Sequence, residues 1–294
     1  MSFALPNQKK WSPFDLINGL LIILVSAVCL IPFVYLISVS LTDIGVYVPY
    51  SFRLFPQKFS LGAYKYILTT RTFMDAIGST TYITLVGTLI SLAVTFPAAY
   101  ALTKRQMPLY KTFSVLVVFF LVFSAGMIPT YITVRNLKLT NTFWALMLPV
   151  ATDSWSLIVV KSFMDAMPKE LEDSAKIDGC NDLGVFFRII IPLAMASIAA
   201  FTLFFAVARW NTYFDALIYI SDTKRRTLQV LVKSMVVDNN TNAAGSATGW
   251  TDQILPSEVL RSATIMVAVL PILVVYPFLQ KYFVKGVMLG SIKG

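Results

Sequence analysis

Long runs free of any charged side chain constrain this chain more than anything else in it. They occupy residues 16–42, 76–103, 112–134, 139–152, 189–208 and 262–280, and the fourth resumes beyond Asp153 to reach residue 160. A helix rises about 1.5 Å per residue, so roughly 20 apolar residues cross a hydrocarbon core of about 30 Å. Nearly all the runs approach or exceed that length, which predicts six spans and an all-α integral membrane protein. Composition agrees: 57% of residues are hydrophobic, 13% are charged and mean hydropathy is +0.72, whereas an average soluble domain carries about 25% charge. An ordinary soluble enzyme is excluded.

The first run is too long for the apolar region of a cleaved signal, which holds about 7–15 residues, so it is expected to remain as an anchor. Lys9 and Lys10 before it, Lys104, Arg105 and Lys111 between the second and third runs, and Lys281 and Lys285 after the sixth favour one side of the membrane. By the bias of short loops toward cytoplasmic Lys and Arg, both termini and residues 161–188 are expected inside. The remaining loops are more basic than that rule favours. Arg53, Lys58, Lys65, Arg71, Arg135, Lys138, Lys224, Arg225, Arg226, Lys233 and Arg261 would lie outside with only Asp43, Asp75, Asp222, Asp238, Asp252 and Glu258 against them. Such a surplus draws an anionic partner, either an acidic protein surface, lipid head groups or an acidic cargo.

Residues 168–192 read PKELEDSAKIDGCNDLGVFFRIIIP, a charged stretch with a central glycine between two apolar runs. A helix is expected to start with Pro168 in its first turn, where a missing N–H costs nothing, and to stop at Gly179, which tolerates a left-handed backbone. Asp182 is then expected to cap a second, shorter helix carrying Leu183, Phe186 and Phe187. In water those apolar side chains need a protein partner.

The same residues resemble the EAA loop of ATP-binding-cassette (ABC) importer permeases: Glu-Ala-Ala, three residues, Gly, nine residues, Ile, one residue, Leu-Pro. Asp173, Ser174, Ala175, Gly179, Ile189, Ile191 and Pro192 fall on that pattern, with Asp for Glu, Ser for Ala and Ile for Leu. Glu170-Leu171-Glu172, Ile177-Asp178-Gly179, Trp210-Asn211 and the ending from Tyr282-Phe283-Val284-Lys285-Gly286 to Lys293-Gly294 look like the carbohydrate branch, the MalG-like subunits. The resemblance covers residues 76–294. It implies a segment of N-terminus, first span and external loop at 1–75, a permease domain at 76–281 and a cytoplasmic tail at 282–294. It also implies that Glu170, Asp173, Ser174, Ala175, Asp178, Gly179, Asp182, Phe186, Phe187 and Pro192 couple the spans to a separate ATPase. The implied partners are a second, MalF-like permease, an ATPase dimer that binds ATP and Mg, an extracytoplasmic solute-binding protein and a sugar or oligosaccharide cargo in a bacterial inner membrane.

The rest of the sequence is consistent with a transport subunit that does no covalent chemistry. There is no Gly-x-x-x-x-Gly-Lys-Ser/Thr to hold a nucleotide, so no cofactor of its own is expected. The chain has no histidine, and its two cysteines, Cys29 and Cys180, fall at different membrane levels, which leaves neither a metal-ligand spacing nor a disulfide. A membrane-embedded hydrolase would need a nucleophile and base that are missing, a six-span channel would not need the charged inner loop, and no nucleic-acid partner is expected.

Six residues in or near the spans are candidates for the cargo path. Asp153 interrupts the fourth run about 12 Å from its inner boundary, followed by Trp155, and an ionisable group there either faces a water-filled path or is held by a neighbouring helix. Arg209, Trp210, Asn211 and Asp215 close the fifth run, about 26 Å along a helix from Pro192. Aromatic faces beside Asn and Arg suit a sugar; equally, Trp210 reads as an interfacial belt residue and Arg209 as a side chain that snorkels outward or pairs with Asp215. Gly78, Gly87 and Gly126 read as points of close helix contact.

Overall fold

The structure, a computed structural model, describes residues 13–48, 51–237 and 258–291, with side chains in the last stretch described through residue 277. The polar patch at 239–246, the Lys9-Lys10 pair and the end of the C-terminal motif lie outside the described residues. The chain divides into two compact units, residues 1–67 with 244–267 and residues 68–243 with 268–294. Helices make up both, and no strand occurs among the described residues.

In the first unit α1 (Pro13–Ser40) is apolar all round, and only its last residues, Ser38, Val39 and Ser40, are buried. Such a helix suits lipid or another apolar helix on nearly every face. Beyond it the chain doubles back: Asp43 donates its N–H to the Lys58 carbonyl at 3.0 Å, Ser60 donates to Leu41 at 2.8 Å, and a single antiparallel bridge joins Thr42 to Phe59. Ser40 shares a 2.8 Å hydrogen bond with Tyr64 on α2 (Gly62–Thr69), and Tyr47 donates to Glu258 at the start of α14 (Glu258–Ser291).

The second unit is organised around α3 (Arg71–Ala101), which packs along α11 (Met195–Trp210) and against α7 (Ser154–Asp165). Thr80, Thr84, Gly87, Ser91 and Thr95 recur along α3 at three- and four-residue steps, with Thr88 beside them, so small side chains share one face and let the neighbouring helix approach. Thr80 Oγ1 accepts the Leu228 N–H at 2.8 Å from α13 (Leu228–Val237), and Thr95 shares a 2.8 Å bond with Thr152.

Three of the expected spans are single long apolar helices: Pro13–Ser40, Arg71–Ala101 and Glu258–Pro277. The third run is instead two helices, α4 (Tyr110–Val122) and α5 (Met127–Asn136), bent by 119°. Gly126 lies in that break with φ +80°, a conformation few other residues adopt, and a Cβ there would meet nothing, so its role is the bend and not helix contact. Gly78 likewise faces open space. The fourth run is divided into α6 (Trp144–Met147) and α7, because Pro149 cannot donate a backbone bond and Asp153 starts a new helix. The fifth is a second bent pair, with residues 182–193 at 79° to α11. Counting each bent pair as one gives five apolar crossings among the described residues.

Candidate functional site: a helical arm on α3 and a polar seam behind it

The charged segment folds as an arm. Its first helix, α8 (Lys169–Ile177), follows Pro168, which stands one residue outside the helix as its N-cap (ψ 122°) instead of in the first turn. Glu170 and Glu172 in the first turn and Lys176 in the last complement the helix dipole. The end has the expected form. Gly179, at φ +84°, donates to the Lys176 carbonyl at 3.1 Å, and Cys180 donates to Ala175 at 2.9 Å, the paired bonds of a left-handed helix stop. The next cap is Asn181, not Asp182: its Oδ1 accepts the Gly184 N–H at 2.8 Å, and Asp182 is the first residue of α9 (Asp182–Val185). Asp182 instead bridges back to Lys176 at 3.1 Å across the turn.

One wide π turn (Phe186–Ile190) and the short α10 (Ile191–Leu193) carrying Pro192 lead into α11. Neighbours on a helix point about 100° apart, and the two phenylalanines part. Phe186 is buried, with its ring 5.1 Å from that of Tyr100 on α3, whereas Phe187 is 64% exposed. Ala175, Val185, Phe186, Ile190 and Ala194 join Phe96, Ala99, Tyr100, Val160, Met164, Phe201 and Phe205 in one core. Ala175 and Phe186 therefore belong to the arm's attachment, and the apolar surface it offers is Ile177, 86% exposed, with Leu183 and Phe187. Glu170, Asp173, Ser174 and Asp178 are exposed, as is Pro192.

A polar strut completes the attachment. Lys104, just past the end of α3, bonds to Glu172 on α8 and lies 4.3 Å over the Tyr100 ring. Burial works to lower the Lys104 ammonium pKa, but the Glu172 carboxylate and the Tyr100 hydroxyl together outweigh it and the net shift is upward. The arm is thus fixed to α3 by a core and an ion pair and is continuous with α11.

The second cluster lies on the small-residue face of α3. Arg209 is 6% exposed; its Nη2 donates to Ser91 Oγ at 3.0 Å and to the Val150 carbonyl in the broken fourth run. Its stem lies against Gly87, where a Cβ would stand 3.1 Å from Arg209 Cδ, so Gly87 is the close contact expected of it. Arg209 Nε is buried without a hydrogen-bond partner among the described residues, as are Thr84 Oγ1 and Thr88 Oγ1. Asp215 and Asp153 supply the opposite charge that acts on the guanidinium, though neither makes an ion pair with it.

The structure therefore gives the proposed path residues structural work. Asp153 caps α7, accepting the Ser156 N–H at 2.9 Å and its hydroxyl at 2.6 Å, in place of a bond to a neighbouring helix. Trp155 is half exposed, 6.0 Å edge-on to Phe204. Trp210 is not a belt residue: it is buried and its Nε1 donates to the Ala268 carbonyl at 2.8 Å, beside the backbone that Pro271 disrupts in α14. Asn211 closes α11, donating to Val207 at 2.9 Å, and Asp215 sits half-buried in the first turn of α12 (Phe214–Tyr219). Arg209 neither snorkels nor faces outward.

Residues 85–289 match the family model described as binding-protein-dependent transport system inner membrane component. The chain belongs to this family. It is 43% identical to Protein LplC of Bacillus subtilis (strain 168), over 98% of this chain and 97% of that one. It is 38% identical to the polygalacturonan/rhamnogalacturonan transport system permease protein YtcP of the same organism, over 96% of this chain and 98% of that one. A crystal structure of a bacterial ABC transporter involved in the import of the acidic polysaccharide alginate contains a chain that superposes with a TM-score of 0.84 at 28% identity, covering 94% of this chain and all of that one. The protein is thus an ABC importer permease, an inner-membrane transport component and not an enzyme. The seam of Thr84, Thr88 and Ser91 was not singled out from the sequence, although its spacing on α3 was the available signal.

Proposed function

We propose that this permease forms part of the translocation path of an ATP-driven importer for acidic, uronate-bearing oligosaccharides. It would pair with a MalF-like permease, an ATPase dimer holding ATP and Mg, and an extracytoplasmic solute-binding protein. In this reading residues 76–281 form the permease domain, the chain crosses the membrane six times with the broken run 139–160 as the fourth crossing, and both termini are cytoplasmic. The arm at 168–193 is the docking element for the ATPase. One observation carries the coupling: the arm is anchored inward by Ala175 and Phe186 and presents Ile177, Leu183 and Phe187 outward. Closure of the ATPase dimer would move the arm and, through it, α3 and α11.

Acidic cargo is supported by the similarity to a permease named for polygalacturonan/rhamnogalacturonan transport and to a chain of a transporter involved in alginate import, and by the basic character of the proposed external loops. In this conformation Arg209 Nη2 is committed to Ser91 and the Val150 carbonyl, so the reading does not rest on Arg209 as a cargo contact. The test is uptake into vesicles bearing the whole complex, given matched neutral and uronate oligosaccharides. Uptake of uronates that requires ATP and the binding protein is expected. Uptake of the neutral sugars alone would reject the acidic cargo, and uptake without ATP would reject the importer.

A further inference from the structure

We propose that residues 135–142 and 220–227 form a rigid cationic dock for an acidic face of the solute-binding protein. The proposal rests on the importer reading above. The two loops are far apart in sequence but are joined by Asn141, which sits at φ +61°. Its N–H donates to the Tyr219 carbonyl at 2.7 Å, its Oδ1 accepts the Asp222 N–H at 3.0 Å, and its carbonyl accepts from Arg225 Nη1. The second loop is further fixed by Thr227 donating to the Thr212 carbonyl at 3.0 Å and by the Leu228 bond to Thr80. Stacking of Tyr131 on Tyr219, 5.9 Å apart and 10° from parallel, joins the supporting helices α5 and α12.

Upon this scaffold stand Arg135, Lys138, Lys224, Arg225 and Arg226, with Asp222 the one carboxylate in the two segments. Asp222 pairs with Arg225 at 3.7 Å. The side chains of Arg135, Lys138, Lys224 and Arg226 make no ion pair among the described residues. The two segments thus set five cations against one carboxylate, a net positive surface that an acidic partner would offset. Lys138 adds a second sign. It ends α5 at φ +55°, with Lys138 donating to Arg135 at 2.9 Å and Leu139 to Val134 at 3.1 Å. That is the helix stop at which glycine is usual, so a lysine there retains backbone strain while presenting an exposed ammonium.

The dock and the arm lie at opposite ends of α3. The dock is tied to Thr80 and the arm to Tyr100, 20 residues apart and so about 30 Å along the helix, the thickness of a hydrocarbon core. If the arm meets the ATPase inside, the dock faces the binding protein outside. Neither segment has an aromatic side chain on which a sugar ring could stack, and the cations are spread over exposed loops. Such a surface fits an acidic protein face, and it acts through steering and register.

The whole complex in discs of zwitterionic lipid, which removes anionic head groups as the occupant, would be titrated with its binding protein while ATPase stimulation is followed. Lys138→Gln/Lys224→Gln/Arg226→Gln should raise the half-saturating concentration about tenfold, as the loss of three solvent-accessible pairs suggests, with unchanged maximal rate and weaker salt dependence. The shift should be the same whether the binding protein carries a neutral or a uronate oligosaccharide. Lys138→Gly, which removes the charge while suiting the backbone, should shift titration in the same direction without loss of thermal stability. An unshifted titration, or a shift confined to uronate-loaded protein, would overturn the dock; a wild-type complex that ignores its binding protein would overturn the importer reading itself.

Discussion

Gly179 permits a graded test of the arm. It stands at φ +84°, and a Cβ there would meet nothing within 4 Å, so any substitution acts through the backbone alone and not through a clash. A non-glycine residue in the left-handed region costs about 1–2 kcal/mol, asparagine less, and a β-branched residue most. A cost of that size leaves the core of the second unit intact but shifts the balance between a closed and an opened turn by about 5–30-fold. An opened turn loses the Cys180-to-Ala175 bond, and with it the placement of Asn181, Leu183 and Phe187. Coupled transport, assayed as uptake per ATP hydrolysed in vesicles, should therefore fall in the order Gly, Asn, Ala, Val, with membrane insertion unchanged. Wild-type coupling in Gly179→Val, or an asparagine variant as poor as the valine one, would refute this reasoning.

The two adjacent phenylalanines should behave oppositely: Phe186→Ala should cost about 3–5 kcal/mol and lower the melting temperature of the complex, whereas Phe187→Ala should leave stability alone and weaken ATPase co-purification. Arg209→Met should destabilise the protein by leaving Ser91 and the Val150 carbonyl without their donor, and Gly87→Ala should do so by pressing on the Arg209 stem; thermal melts in detergent read both. The Lys104 pKa is raised in the folded state, so the strut's contribution is complete below the ordinary lysine value and is lost only as pH rises through the higher one. The stability lost in Lys104→Met should accordingly be constant from neutral pH to about pH 10 and shrink beyond it.

The arm was legible because its signals are local. Proline, a helix-length charged segment and glycine suffice to set one helix and its stop, and the structure moves the two caps by a single residue. Which phenylalanine turns inward was not legible, because it is set by the packing of Phe186 on Tyr100 of α3, a tertiary contact with no pattern in the sequence. Apolar length likewise identified membrane segments but not their breaks. Pro149, Asp153 and Gly126 were visible, yet only the folded chain shows that Asp153 caps a helix and Gly126 turns one by a wide angle. Arg209 was misplaced for a tertiary reason: its acceptors, Ser91 and the Val150 carbonyl, come from segments about 60 and 120 residues away and have no pattern in sequence.

The central claim, that the outer face of the arm meets an ATPase whose motion drives transport, is most directly tested by cross-linking. In a chain freed of Cys29 and Cys180, Phe187→Cys would be paired with single cysteines across the ATPase surface in the assembled complex. The account predicts a disulfide that forms at one ATPase position, stops uptake, and restores it on reduction. No cross-link at any position in a complex that transports normally, or a cross-link that leaves uptake unchanged, would contradict it.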